Sequence, residues 1–126
     1  MMTNLDVKCA EAGMKLAQIG GSGERLLNNA LGVLQEQGLY ACFLYLQAQE
    51  KENGKKVGQE LYMFLRKEID PSLEETADSK NGQDKMLAQI AKLAENLDTL
   101  LFARELLLQV LTYARYHLKL KSGGGE

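Results

Sequence analysis

Segment 98–121, DTLLFARELLLQVLTYARYHLKLK, decides the fold class of this chain, because its apolar residues cover far more than one stripe of a helix. On a helical wheel they fill one broad side, formed by Leu100, Leu106, Leu107, Val110, Leu111, Tyr113, Ala114 and Leu118. Polar residues keep only a narrow sector, so such a helix needs neighbours on several sides. No apolar run reaches the length of a membrane span. The segment therefore predicts a long central helix in a small helical bundle.

Helical periodicity continues through the rest of the chain, and no stretch alternates polar and apolar residues as a strand does. Glycines, Asn53-Gly54 and Asp70-Pro71 divide the sequence into about six helices. We expect these helices at about 5–19, 23–37, 39–51, 55 or 56–69, 83–96 and 98–121, with a polar loop at 71–82. The predicted fold is all-α: a compact bundle of about six helices with an extensively buried C-terminal helix. Residues 1–121 form a single helical domain, and 122–126 form a flexible Gly-rich tail.

Several residues are typical of helix ends. Ser22 is expected to cap the second helix, and Gly38 is expected to end it in a left-handed conformation. Asp70-Pro71 should stop the fourth helix, since a residue before proline is pushed away from helical dihedral angles. Asn96 or Asp98 can cap the last helix.

Length and charge limit the class of protein. A chain of 126 residues can bury the core of one domain. Its formal charge is −2, without the gross basic excess of autonomous nucleic-acid binders, so any RNA contact must be local. No signal peptide is recognisable. Cys9 and Cys42 both lie in helical patterns and are expected to be buried, reduced thiols in a cytoplasmic protein.

No residue pattern indicates catalysis. His117 is the only histidine, and neither CxxC nor HExxH occurs, which disfavours a zinc site. The cluster Gly20-Gly21-Ser22-Gly23 lacks the ending of a phosphate-binding loop and follows a helix, so an interhelical turn is the better interpretation. Cys42 lies in an apolar run that disfavours a thiolate. We therefore predict a non-enzymatic protein with no cofactor and no metal.

The last helix contains the pair Arg104-Glu105, the leucine run Leu106-Leu107-Leu108, Leu111 and the ending Ala114-Arg115-Tyr116. This pattern resembles the terminal helix of a known family, the Cmr small subunits of CRISPR-associated complexes. Upstream, Gly38-Leu39 leads into a helix that contains Phe43-Leu44, and a polar loop and the helical segment 60–65 follow in the order seen in that family. Together the matching segments extend over roughly residues 28–119.

The resemblance implies a non-catalytic small subunit of a type III-B RNA-guided effector complex that acts in antiviral defence. In such a complex the subunit would stack on further copies of itself as an inner filament, beside other CRISPR effector subunits. It would contact the backbones of the guide RNA and the target RNA. Cleavage would belong to other subunits, and no membrane would be involved.

Basic residues are the candidates for RNA contact, because phosphates require only suitably spaced positive charges. The candidate RNA-binding residues are Lys8, Lys15, Lys55, Lys56, Arg104, Arg115 and Lys119. For each of them, ordinary solvated surface is the competing interpretation. Tyr40, Tyr45, Tyr113 and Tyr116 could stack on bases, although packing in the core or at an interface is the favoured interpretation.

Two other classes of protein compete with the effector subunit. One is a stand-alone helical adaptor or oligomerisation module that never meets nucleic acid. The other is an enzyme on a helical bundle with a carboxylate metal site, whose Glu-x-x-His signature this chain lacks. Binding that weakens with added salt would distinguish the RNA-associated protein from the adaptor.

Overall fold

The computed structural model describes residues 4–19, 24–49, 52–74 and 82–123, and every regular element in these ranges is an α-helix. The helices are α1 (Asn4–Ile19), α2 (Glu24–Gln37), α3 (Leu39–Gln47), α4 (Glu52–Glu68), α5 (Gly82–Leu93) and α6 (Leu97–Gly123). The predicted all-α bundle of about six helices is confirmed. Within the described ranges, no helix has the length and hydropathy that crossing a bilayer requires.

Gly38 and Asn96 both lie at the predicted helix ends. Gly38 has a positive φ of 104°, but its ψ of −174° differs from the left-handed helical conformation that the sequence predicts, and its N–H lies 3.2 Å from the carbonyl oxygens of both Val33 and Leu34. A positive φ costs glycine little because it has no Cβ. Asn96 caps α6, since its Oδ1 accepts a hydrogen bond of 3.0 Å from the Thr99 N–H. The expected cap at Ser22 lies outside the described residues, as do the turn at 20–23, part 75–81 of the polar loop and residues 124–126 of the tail.

The predicted boundary between the third and fourth helices is wrong. Helix α3 ends at Gln47 instead of about residue 51, and Asn53-Gly54 lies in the first turn of α4 instead of forming an interhelical turn. Gly54 is needed for a close approach: a Cβ added to it would lie 2.6 Å from Gln49 Cβ and 3.1 Å from Leu46 O. The glycine therefore lets the start of α4 pack directly on the end of α3.

Helix α1 packs along α6 at the centre of the bundle. The Cys9 thiol lies 3.9 Å from the Leu106 carbonyl oxygen, and Gly13 lies directly against Val110 and Ala114. Because both contacts advance together along the chain, α1 and α6 run in the same direction. The remaining core is built from large side chains of all the other helices, including Leu27, Leu34, Phe43, Leu46, Leu61, Leu65, Met86 and Ile90.

One side of α6 is buried and the opposite side is open. The buried side consists of Ala103, Leu106, Leu107, Val110, Leu111, Ala114 and Leu118. This confirms the extensive burial of the C-terminal helix. In contrast, Leu101 is 53% exposed, Tyr116 64% and Leu120 76%, so neighbours do not surround the helix on all sides as its broad apolar pattern predicted.

The segment after α4 is held to the bundle by specific hydrogen bonds. The Tyr62 hydroxyl donates to the Glu74 carbonyl oxygen at 2.5 Å, and Arg66 Nε donates to the Leu73 carbonyl oxygen at 2.7 Å. Leu73 is buried, as its isolated apolar character in a polar segment suggests. Gln89 of α5 exchanges hydrogen bonds with Glu74, both at 3.3 Å. The described part of this connection is therefore fixed to both α4 and α5.

Candidate nucleic-acid interface

Two of the seven candidate basic residues form ion pairs within the chain. Lys8 Nζ of α1 lies 3.4 Å from Glu68 Oε1 of α4, and the Glu68 side chain is only 11% exposed. Lys56 Nζ lies 4.0 Å from Glu52 Oε2, one helical turn earlier in α4. A phosphate at either lysine would have to compete with a carboxylate that is already there.

Two further candidates hold carbonyl oxygens at helix C-termini. Lys55 Nζ donates to the Gln49 carbonyl at 3.1 Å, just past the end of α3. Arg104 Nη2 donates to the Gln35 carbonyl at 2.9 Å, in the last turn of α2. Terminal carbonyls lack intrahelical partners and carry partial negative charge, so a cation there stabilises the helix end. Each side chain therefore stabilises the end of a neighbouring segment, a role that the sequence alone did not indicate.

The other three candidates have no hydrogen-bond or ion-pair partner among the described residues, and we call them the unpaired cations: Lys15, Arg115 and Lys119. Lys15 and Lys119 are exposed, and Arg115 is half-buried. Lys15 follows the contact residue Gly13 by two positions, and Arg115 directly follows Ala114. Since α1 and α6 are parallel, the unpaired cations lie at a similar level along this helix pair. Two positions correspond to about 200° around a helix, so Lys15 lies on the side of α1 opposite Gly13 and faces away from α6.

A groove of about 440 Å³ runs between α1 and α4 next to Lys15. Its basic lining residues are Lys8, Lys15, Arg66 and Lys67, and its acidic ones are Glu11, Glu60 and Glu68. Charges of opposite sign nearly cancel inside it, so the groove itself attracts phosphate weakly. Lys67 is exposed and lines this groove. The sequence did not indicate it as a candidate for phosphate contact, because it belongs to a helix face of mixed charge.

Some of the residues in the Arg104-Glu105 pair and among the candidate tyrosines pack inside the bundle, and the others are exposed on its surface. Arg104 turns toward α2, whereas Glu105 is exposed and has no partner among the described residues. Tyr40 and Tyr116 are 43% and 64% exposed, while Tyr45 and Tyr113 pack against the core. Only Tyr40 and Tyr116 are therefore accessible enough to stack on a base.

The described residues contain no cluster of three or more His, Cys, Asp or Glu side chains that could hold a metal ion. Both cysteines are buried, free thiols. Burial, with smaller contributions from Asp6 and Glu68, raises the pKa of Cys9 from 9.0 to about 11. Burial also raises the pKa of Cys42 from 9.0 to about 12. Both thiols remain protonated at neutral pH, which makes them poor nucleophiles and poor metal ligands.

These thiols predict a loss of stability at alkaline pH. The unfolded chain releases each proton near pH 9, but the folded chain holds Cys9 to about pH 11 and Cys42 to about pH 12. Proton release therefore favours unfolding, and the thiols' contribution to stability is complete below pH 9 and declines as the pH rises toward 11. Urea unfolding at a series of pH values should show this decline, and Cys42→Ala should make it shallower. An identical pH dependence in that variant would contradict the assignment to the thiol.

Comparison with protein-family models, with curated proteins and with solved structures gives no match to this chain.

Proposed function

We propose that this chain is a non-catalytic scaffold subunit that contacts RNA backbones, and specifically the small subunit of a type III CRISPR effector complex of the Cmr type. It acts there beside other effector subunits in the cytoplasm, stacked with further copies of itself along the guide RNA and target RNA. The observation that carries the RNA contact is that Lys15, Arg115 and Lys119 have no hydrogen-bond or ion-pair partner among the described residues. The identity of the complex is supported by the sequence resemblance.

The unpaired cations suit a phosphate backbone better than the four paired candidates do. Lys15, Arg115 and Lys119 can approach a phosphate without first leaving an internal partner. Lys55 and Arg104 would first have to break their hydrogen bonds to the Gln49 and Gln35 carbonyls. The free energy lost with these hydrogen bonds would offset part of the free energy gained at the phosphate. A net charge of −2 with local basic positions allows a weak contact with RNA that does not depend on its sequence.

Changing Lys15, Arg115 and Lys119 together to alanine should weaken RNA association about equally for unrelated sequences, because phosphates carry no base identity. The slope of log K against log salt concentration should fall by about 2, as expected for loss of about three phosphate contacts. Filter binding or fluorescence anisotropy of the assembled complex over a salt series measures both quantities.

The matched control for this experiment is Lys55→Ala with Lys56→Ala, which removes two basic residues that have internal partners. We expect this control to change the salt slope by less than the triple variant does. Melting temperature should stay near that of the wild type for the triple variant, since exposed charges contribute little to stability. An unchanged salt slope in the triple variant would contradict the placement of the RNA contact.

Purification from cells that express the neighbouring genes and a guide RNA tests the identity of the complex. The chain should be retained in the particle together with the RNA. Its absence from an otherwise assembled particle would exclude the effector-subunit function. Self-association that is insensitive to salt, without any RNA-dependent binding, would instead support the stand-alone adaptor, to which the exposed side of α6 is also suited.

A further inference from the structure

The exposed side of α6 carries apolar and charged residues, which we call the α6 outer face: Leu101, Phe102, Glu105, Tyr116, Lys119 and Leu120. Its apolar members are exposed by 48% at Phe102, 53% at Leu101, 64% at Tyr116 and 76% at Leu120. They form two apolar clusters, Leu101 with Phe102 and Tyr116 with Leu120, near opposite ends of the face. Exposed apolar clusters on a rigid helix are typical of docking sites. The two charged residues of this face, Glu105 and Lys119, indicate which partner can bind to it.

Glu105 and Lys119 are placed symmetrically about Thr112, each seven positions away from it. Seven residues correspond to about two helical turns, so all three lie in nearly the same row of the helix surface. Glu105 and Lys119 are both exposed and have no partner among the described residues. They are separated by about 21 Å along the axis, at 1.5 Å per residue, and therefore cannot pair within one helix.

We propose that the α6 outer face binds the same face of a second copy of this chain, with the two α6 helices antiparallel and Thr112 at the two-fold axis. A two-fold interface is self-complementary, so a contact between residue i and residue j occurs twice. In this register each Glu105 faces Lys119 of the second copy. The charges that one helix leaves unpaired become two intermolecular ion pairs.

The apolar residues and the centre of the face agree with this register. Phe102 and Leu120 lie on the same flank of α6, and antiparallel pairing brings Phe102 to within about 3 Å along the axis of Leu120 of the second copy. The Thr112 hydroxyl donates to the Leu108 carbonyl of its own helix at 2.7 Å. The middle of the face therefore presents no unsatisfied hydroxyl donor where the two helices approach.

The dimensions predict a reversible dimer. Helix α6 has 27 residues and is about 40 Å long, so one face of it covers less than the roughly 800 Å² per partner of a standard interface. The dimer should accordingly form in a concentration-dependent manner. This inference goes beyond the proposed function, since it concerns the free chain without RNA. In the dimer Lys119 is paired with Glu105 of the second copy, so an RNA contact at Lys119 requires that this ion pair opens.

Charge exchange tests the proposal in the full chain, with sedimentation equilibrium in the absence of RNA. Glu105→Lys and Lys119→Glu should each weaken dimerisation by about tenfold, because each replaces two attractive pairs with two repulsive ones. The double variant Glu105→Lys with Lys119→Glu restores the opposite charges and should return the dissociation constant to near the wild-type value. Because both side chains are exposed, helical content should not change in any of the three variants, and neither should the melting temperature at concentrations where the chain is monomeric.

Three results would overturn the proposal. They are a wild-type chain that stays monomeric at the highest soluble concentration, a double variant that remains as weak as the single ones, and self-association that neither single variant weakens, which indicates contacts outside the α6 outer face. Since the assay contains no RNA, these outcomes are distinguishable from a failure of the RNA contact.

Discussion

Replacing Leu111 with alanine is expected to lower the free energy of unfolding by about 2–5 kcal/mol, because truncation of a buried leucine removes apolar contacts and leaves a cavity. Leu111 has 0% exposure and lies on the side of α6 that carries Leu107 and Leu118. Helices α1 and α2 pack on α6, so the surrounding side chains are held by several elements and cannot collapse freely into the space. Urea unfolding followed by circular dichroism measures the change.

Leu101→Ala is the matched control, since it makes the same chemical change in the same helix. Leu101 is 53% exposed, and the substitution should change the free energy of unfolding by no more than about 0.5 kcal/mol when measured at low protein concentration. Equal effects of the two substitutions would mean that the buried and open sides of α6 are assigned wrongly.

Replacing Gly13 with alanine is the second substitution with a large expected effect. The added Cβ would lie 2.7 Å from Tyr113 Cβ, 2.8 Å from Ala114 N and 2.9 Å from Val110 O. Two of these atoms belong to the α6 backbone and cannot rotate away, so α1 and α6 would have to separate. Overpacking costs about 1–3 kcal/mol, and the upper part of that range exceeds the gain of about 1 kcal/mol in helix propensity. We expect a net loss of about 2 kcal/mol in urea unfolding.

Gly32→Ala separates overpacking from helix propensity. Gly32 lies within α2, and a Cβ added there meets no atom within 4 Å. This variant should therefore gain up to about 1 kcal/mol of stability. A gain of similar size at Gly13 would show that the two helices do not approach as closely as described.

Helix formation in this chain follows from local sequence, and much of it could be predicted. Apolar spacing located all six helices, and Gly38 and Asn96 act at the helix ends where their chemistry placed them. The interpretation of Asn53-Gly54 failed because the same dipeptide can form a turn or allow close helix packing. Only the position of α3 against α4 distinguishes the two roles.

The sequence could predict which basic residues are candidates for RNA binding, but not which of them are free to contact RNA in the folded protein. All seven basic residues are equivalent in sequence, yet Lys55 and Arg104 hold carbonyls of other segments and Lys8 pairs with Glu68. Each of these partners lies outside the helix that carries the basic residue, so no helical spacing rule identifies it. Only the tertiary contacts show that Lys15, Arg115 and Lys119 are the candidates left without a partner among the described residues.

The sequence by itself determined the all-α class, the number of helices and several of their caps, because periodicity and capping depend on residues within one or two turns of each other. Tertiary structure alone decided which part of the broad apolar surface of α6 is covered. It also gave Gly13 its role at the contact with α6 and placed the polar Gln47 in the core, where its Nε2 lies 3.3 Å from Met86 Sδ. These features depend on which helices pack together and how closely they approach. The local sequence of one helix does not determine which atoms of another helix will contact it.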